Sequence, residues 1–144
     1  MTTKKINGPV YFKNSIIINA KCKRVWEVLS QIGLWTNWQS NVTESKLTGD
    51  FKIDNTFEWK SHGVKIHSKL IRIDQGKYLI YTGKTLGMTA TTTWELLTNG
   101  NQTKVIFIDS MDGFFATILK GMLNKNISKG GQKWMESLKA ECER

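Results

Sequence analysis

Apolar positions recur at helical spacing near both ends of the chain and alternate with polar ones through its middle. From Val10 to Asn19, Val10-Tyr11-Phe12 and Ser15-Ile16-Ile17-Ile18-Asn19 are rich in β-formers and predict a strand that ends at Ala20-Lys21-Cys22. The period then changes. Val25, Trp26, Val28 and Leu29 fall on one side of a helix over 23–29, which Gly33 is expected to stop. Leu34 to Trp38 predicts a second short helix, with Trp35 and Trp38 as neighbours three residues apart.

After Gln39, turn clusters separate short runs that alternate or are rich in β-branched and aromatic residues, and six strands fit them. They lie near Val42 to Leu47, Thr56 to Ser61, Val64 to Ile73, Tyr78 to Lys84, Met88 to Leu97 and Thr103 to Ser110. Gly49-Asp50, His62-Gly63, Asp74-Gln75-Gly76, Leu86-Gly87 and Thr98-Asn99-Gly100-Asn101 supply the residues that tight reversals require. Loops this short force antiparallel neighbours, because a parallel crossover needs about a dozen residues.

From Phe114 the period is helical again. Phe115, Ile118, Leu119, Met122, Leu123, Ile127, Trp134, Met135 and Leu138 are expected to share one face of a long C-terminal helix. Asn124 to Ser128 and Gly130-Gly131 are poor helix formers, so a kink or break is expected there. Such a weak point could gate a cavity beneath the helix; alternatively, the glycines let the helix pack closely on Trp26 or on the strand bearing Trp94.

One strand, two short helices, six antiparallel strands and a long amphipathic helix make an α+β fold, a curved seven-stranded antiparallel sheet with its concave side against the last helix. A strongly curved sheet cannot close on one helix along its whole length, so a cavity between them is expected. Strand parity sketches its lining. Phe57 and Trp59 share a face, as do Val64, Ile66, Ser68 and Leu70, then Leu79, Tyr81 and Gly83. Ala90, Thr92, Trp94 and Leu96 follow, and Val105, Phe107 and Asp109 complete the set, facing Ile118, Met122 and Trp134 of the helix. The competing reading is that these residues fill a dry core, which is the usual use of aromatic stripes.

Composition adds limits. The 144 residues suit one domain with a core that needs no disulfide or metal staple, and 40% hydrophobic with 23% charged residues fits a packed protein. The longest early apolar run is Ile16-Ile17-Ile18, far short of the roughly 18 residues of a membrane span. Tyr11-Phe12-Lys13-Asn14 interrupts any signal-peptide apolar core, so a cytoplasmic protein is expected. Cys22 and Cys142 lie near opposite ends in no CxxC pair and are read as free thiols.

The net charge of +9 invites nucleic acid, anionic lipid or ribosome as partners. Its distribution argues for a solvated polar face instead. The excess sits on Lys4, Lys5, Lys21, Lys23 and Arg24 and on Lys120, Lys125, Lys129 and Lys133, with no Arg-rich tract. No nucleic-acid partner is therefore expected.

The order of elements, with Val25-Trp26-Glu27-Val28-Leu29 followed by Gly33-Leu34-Trp35-Thr36-Asn37-Trp38, resembles the START and polyketide-cyclase-like superfamily, whose helix-grip fold the pollen allergens share. Phe57-Glu58-Trp59-Lys60, Tyr81-Thr82-Gly83-Lys84 and Trp134-Met135-Glu136-Ser137-Leu138-Lys139 look like the matching segments of small bacterial polyketide-cyclase-type members. The resemblance spans nearly the whole chain. Members often have Ala-Pro before the first helix and an acidic residue at its end, where this chain has Ala20-Lys21 and Ser30-Gln31. Because the family holds lipid carriers, hormone binders, cyclases and co-chaperones, the resemblance implies the fold and is nearly silent on the ligand.

Candidate chemistry is sparse. His62 at a turn and His67 on a polar face have no cysteine near them in sequence, so no metal is expected, and no phosphate loop or nucleophile elbow implies a cofactor. The best acid-base pair is Asp109 and Tyr81, which share inward parity; Glu58 or His67 would need a bulge to join them. A carboxyl in an apolar cavity has a raised pKa and suits cyclase or dehydratase chemistry, although Asp109 could equally cap the strand end before Asp112-Gly113. The leading expectation is a carrier or sensor for a small apolar molecule, a lipid, polyketide or aromatic. A cyclase-type enzyme is the alternative, and a protein-interaction module using the basic helix face is a third.

Overall fold

The computed structural model describes residues 9–144, with Lys4 and Lys5 outside the described residues. β1 (Val10–Ile18) leads to α1 (Cys22–Ser30), a 3₁₀ segment (Ile32–Asn37), β2 (Val42–Leu47) and β3 (Thr56–Ser61). β4 (Val64–Asp74), β5 (Tyr78–Thr85), β6 (Met88–Asn99) and β7 (Gln102–Asp112) follow, then α2 (Phe114–Ile118) and α3 (Lys120–Cys142). The fold is α+β. Gly33 does not end α1; the chain leaves helical geometry at Gln31, with ψ 75°, and Gly33 lies inside the 3₁₀ segment.

All seven strands form one antiparallel sheet in the order β1-β7-β6-β5-β4-β3-β2. The turns His62-Gly63 and Leu86-Gly87 hold both residues at positive φ, the two-residue geometry that matches strand twist. A bulge between Leu70 and Arg72 ends the even-numbered inward parity of β4, after which Ile73 packs on the core.

α3 crosses the concave face and is fastened at both ends to β1, an edge strand. Near its start, Asn124 Oδ1 accepts from the Tyr11 backbone N–H at 2.9 Å, and its Nδ2 donates to the Pro9 carbonyl at 3.2 Å. At its end, Lys139 Nζ donates to the Ile17 carbonyl at 2.9 Å and pairs with Glu143, which also accepts from the Asn19 backbone N–H. These bonds cover part of an edge that would otherwise present unpaired backbone groups.

The C-terminal region differs from expectation. The helix breaks at Leu119, not at Asn124 to Ser128 or Gly130-Gly131, and α3 runs unbroken through the glycine pair. Its buried face is Ile127, Gly131, Met135, Leu138 and Cys142. Met122, five residues before Ile127, lies about 140° around the helix from it and is exposed, as are Phe115, Ile118 and Leu119. The expected single face therefore joins two helices in different frames.

Gly131 meets the sheet through Phe12 of β1 and Phe107 of β7, not through Trp26 or the strand bearing Trp94. A Cβ there would lie 2.5 Å from the Phe12 ring and 2.9 Å from the Phe107 ring, so only glycine permits this approach. Both cysteines are free, and burial pushes the Cys142 thiol up to about 12, which keeps it protonated.

Candidate ligand-binding site

The two ends of the sheet's concave face are filled differently. At one end Trp134 of α3 stands among Trp35, Trp38, Trp59 and Trp94, with ring centroids 5.1 to 6.1 Å away and near-perpendicular planes. Phe57 and Tyr81 extend this cluster. Trp35 is wholly buried, its indole N–H donating to the Leu29 carbonyl at 3.0 Å; burying a side chain of this size contributes on the order of 1.5–3 kcal/mol.

At the other end the register sets small residues side by side. Ser68, Gly83 and Ala90 pair in turn across β4, β5 and β6, a transverse row of short side chains that ends at Met111 of β7. A Cβ on Gly83 would lie 2.9 Å from Ile66 Cγ2, so the row cannot be filled at that position without displacing β4 side chains. The result is an apolar chamber of about 100 Å³ bounded by Trp59, Ile66, Ser68, Tyr81, Gly83, Thr85, Met88, Ala90, Thr92, Phe107, Asp109, Met111 and Trp134. A wider space of about 600 Å³ adjoins it and shares Asp109, Met111 and Trp134. This vestibule lies between α3 and the β3–β4 hairpin, with Asn41, Ser61, His62, Leu123, Asn126, Ile127, Lys129, Gly130 and Gly131 on its walls.

Asp109 stands at the boundary between the two spaces, and the other polar groups line the chamber. Tyr81, Thr92 and Asp109 occupy one row across β5, β6 and β7, Thr92 pairing with both neighbours. Thr92 Oγ1 donates to Asp109 Oδ1 at 3.0 Å. Tyr81 accepts from the Trp94 indole N–H at 3.2 Å, and Trp59 Nε1 donates to Ser68 Oγ at 3.0 Å. Desolvation raises the Asp109 carboxyl to about 7, against smaller downward effects of the Thr92 hydroxyl and the Ser110 backbone N–H. Asp109 keeps part of its surface open because it borders both spaces, so a neutral and an ionised form coexist near neutrality. Burial also raises the Tyr81 phenol, which stays protonated and available as a donor.

Of the residues expected to line a cavity, Trp59, Ile66, Ser68, Tyr81, Gly83, Ala90, Thr92, Phe107, Asp109 and Trp134 do so. Phe57, Leu70, Leu79 and Trp94 are completely buried outside the chamber, in the solid half of the core. Ile118 and Met122 do not face the sheet at all: they are 59% and 55% exposed, because α2 stops short of the cavity and Met122 is on the outer face of α3. Glu58 and His67 pair at 3.0 Å on the convex face of the sheet and cannot reach the chamber.

Met88 and Met111 line the chamber as well, and their strand parity with Ala90 and with Asp109 is the signal for it in the sequence. Asn41, His62 and Lys129 of the vestibule had none, since they meet only through tertiary packing. Among the described residues no group of three or more His, Cys, Asp or Glu could hold a metal ion.

The chain matches the family described as polyketide cyclase/dehydrase and lipid transport over residues 9–143. No curated protein matches it. Among solved structures, a hypothetical protein from Helicobacter pylori is similar with a TM-score of 0.82 at 15% identity, covering 99% of each chain. The Zhui aromatase/cyclase from Streptomyces sp. R1128 has a TM-score of 0.78 at 11% identity, covering 93% of each chain. A START superfamily protein from Mycobacterium smegmatis has a TM-score of 0.74 at 7% identity, covering 92% of this chain and 97% of that one. At such identities the likeness establishes the fold.

Proposed function

Because the chain belongs to the polyketide cyclase/dehydrase and lipid transport family, we propose that it binds a small, largely apolar molecule with one polar end. The observation that carries this reading is the hollow left by the Ser68, Gly83, Ala90 and Met111 row, which continues into the vestibule past Asp109. The chamber alone is smaller than the roughly 300–1,000 Å³ usual for ligand sites, so a bound molecule spans the boundary, its apolar end inward and its remainder in the vestibule. A hydroxyl or carbonyl passing Asp109 meets a carboxyl that donates when neutral and accepts when ionised. A carboxylate ligand is disfavoured there, since it repels the ionised form of Asp109. Lipids, polyketides and simple aromatics with an uncharged polar group fit.

Native mass spectrometry of protein purified from its own host identifies the occupant. Calorimetric titration with naphthol, an apolar ring with one hydroxyl, tests the site directly. Ala90→Leu fills the chamber from its floor and is expected to abolish naphthol binding while the protein remains folded. Wild-type protein that binds neither naphthol nor any host molecule would remove this reading.

A second reading, a cyclase- or dehydratase-type enzyme, is favoured by one specific feature, the raised carboxyl of Asp109 in the same row as Tyr81. A group titrating near neutrality can both give and take a proton at a bound carbonyl compound. Turnover of a polyketide-like substrate should then fall by about 10²–10⁴-fold in Asp109→Asn. Unchanged turnover in that variant leaves binding alone.

A further inference from the structure

Among the described residues, large apolar side chains at one end of the molecule stand exposed. Leu86 at the β5–β6 turn is 68% exposed, Phe114 70%, Ile118 59% and Met122 55%, and Phe115 and Leu119 are also exposed. They are contiguous, because the Phe115 ring packs on Gly87 of the same turn. Exposed apolar residues are ordinary when scattered; a cluster on two adjoining elements is not.

Two further observations select what covers this cluster. Leu86 holds φ at +49°, a conformation that favours Gly, Asn or Asp and costs a branched aliphatic residue about 1 kcal/mol or more. The turn thus places a leucine at its tip against local backbone preference. Charge is the second. Residues 113–135 contain Lys120, Lys125, Lys129 and Lys133 and no Asp or Glu. Met122, Lys125, Lys129 and Lys133 recur at three- and four-residue spacing on the outer face of α3, and among the described residues none of these lysines has an ion-pair partner. An apolar tip flanked by unpaired lysines fits an anionic interface. A second copy fits poorly, because a two-fold contact through this end would set lysines against lysines.

We propose that the β5–β6 turn, α2 and the first turns of α3 form a docking surface for an anionic phospholipid bilayer. Leu86, Phe114, Ile118 and Met122 enter the interfacial region, and Lys120, Lys125 and Lys129 meet the lipid headgroups. The surface surrounds the end of the protein where Thr85 and Met88 border the chamber and Leu123 the vestibule. Docking itself does not depend on what the cavity holds.

Sedimentation of the full chain with sucrose-loaded vesicles tests this. Binding is expected to vesicles of phosphatidylcholine mixed with phosphatidylserine, to be absent with phosphatidylcholine alone, and to be reversed by high salt. Phe114→Ser combined with Ile118→Ser should weaken it at least about tenfold. Lys120→Glu with Lys125→Glu, which alters no apolar contact, should do so by a similar factor. Both double variants should keep the wild-type unfolding midpoint and bind naphthol as the wild type does. No binding to the mixed vesicles, equal binding to both vesicle types, or wild-type binding by the lysine variant would overturn the proposal. So would a dimer in solution that Phe114→Ser with Ile118→Ser dissociates.

Discussion

Asp109 brings a carboxyl to the edge of an apolar chamber with one hydroxyl and one backbone N–H to support its charge, and that imbalance has a sign that can be measured. Its ordinary value of 3.8 holds in the unfolded chain, while in the fold the value is about 7. Between these pH values the unfolded chain has released a proton that the folded chain still holds, so this group makes stability fall as pH rises through the window. Above about 7 the loss is complete, at a few kcal/mol, and below the ordinary value it vanishes. Asp109→Asn keeps an oxygen for the Thr92 hydroxyl and cannot ionise. Urea unfolding should therefore show the variant gaining on the wild type as pH is raised from about 4 to about 8, then running parallel to it. A constant difference over that range would mean that the carboxyl is hydrated well enough to titrate normally. Ala90 is the other informative residue, since its methyl group forms part of the chamber floor. Enlarging that methyl to the isobutyl group of leucine acts by occupancy alone, separating loss of volume from loss of the polar anchor.

Among the elements, α3 holds the clearest lesson about glycine. Gly130 and Gly131 are adjacent and both helical, but a Cβ at Gly130 meets nothing within 4 Å whereas one at Gly131 collides with two phenylalanine rings. Gly130→Ala is expected to raise stability by about 0.5–1 kcal/mol through helix propensity and loss of unfolded-state freedom. Gly131→Ala should lower it, because α3 or the Phe12 ring must move. Thermal unfolding of the two single variants checks the opposite signs; a gain in both would mean that the Phe12 ring yields freely. In the sequence this pair reads as a weak point, because a glycine needed for close approach and one that breaks a helix look alike until the opposing surface is known. The break at Leu119 left no such mark: Ile118-Leu119-Lys120 has neither Gly nor Pro. The strands were far more legible. Turn residues fixed the hairpins, parity fixed their faces, and together they place Tyr81, Thr92 and Asp109 toward the same side before any contact is known.

For the whole molecule, the balance between filled and hollow core depends on rows that run across the strands, and only part of this could be read from the chain. The register that brings Gly83 beside Ala90 follows from the two-residue turn at Leu86-Gly87, but the vestibule requires α3 to lie against the β3–β4 hairpin, which no local pattern encodes. The filled half has an optical consequence. Four indoles converge on Trp134, making a cluster of five, while Trp26 stands apart against Phe51. Transition dipoles held this close and at steep angles do not absorb independently; their excited states mix into a chiral set. The near-ultraviolet circular dichroism should show a strong paired band of opposite signs that Trp134→Phe collapses and Trp26→Phe leaves largely intact, and equal losses in the two variants would contradict the coupling. Because Trp59 and Trp134 also border the chamber, a guest that shifts either ring retunes the whole set, and the protein carries its own colourless dye for reporting when the hollow is filled.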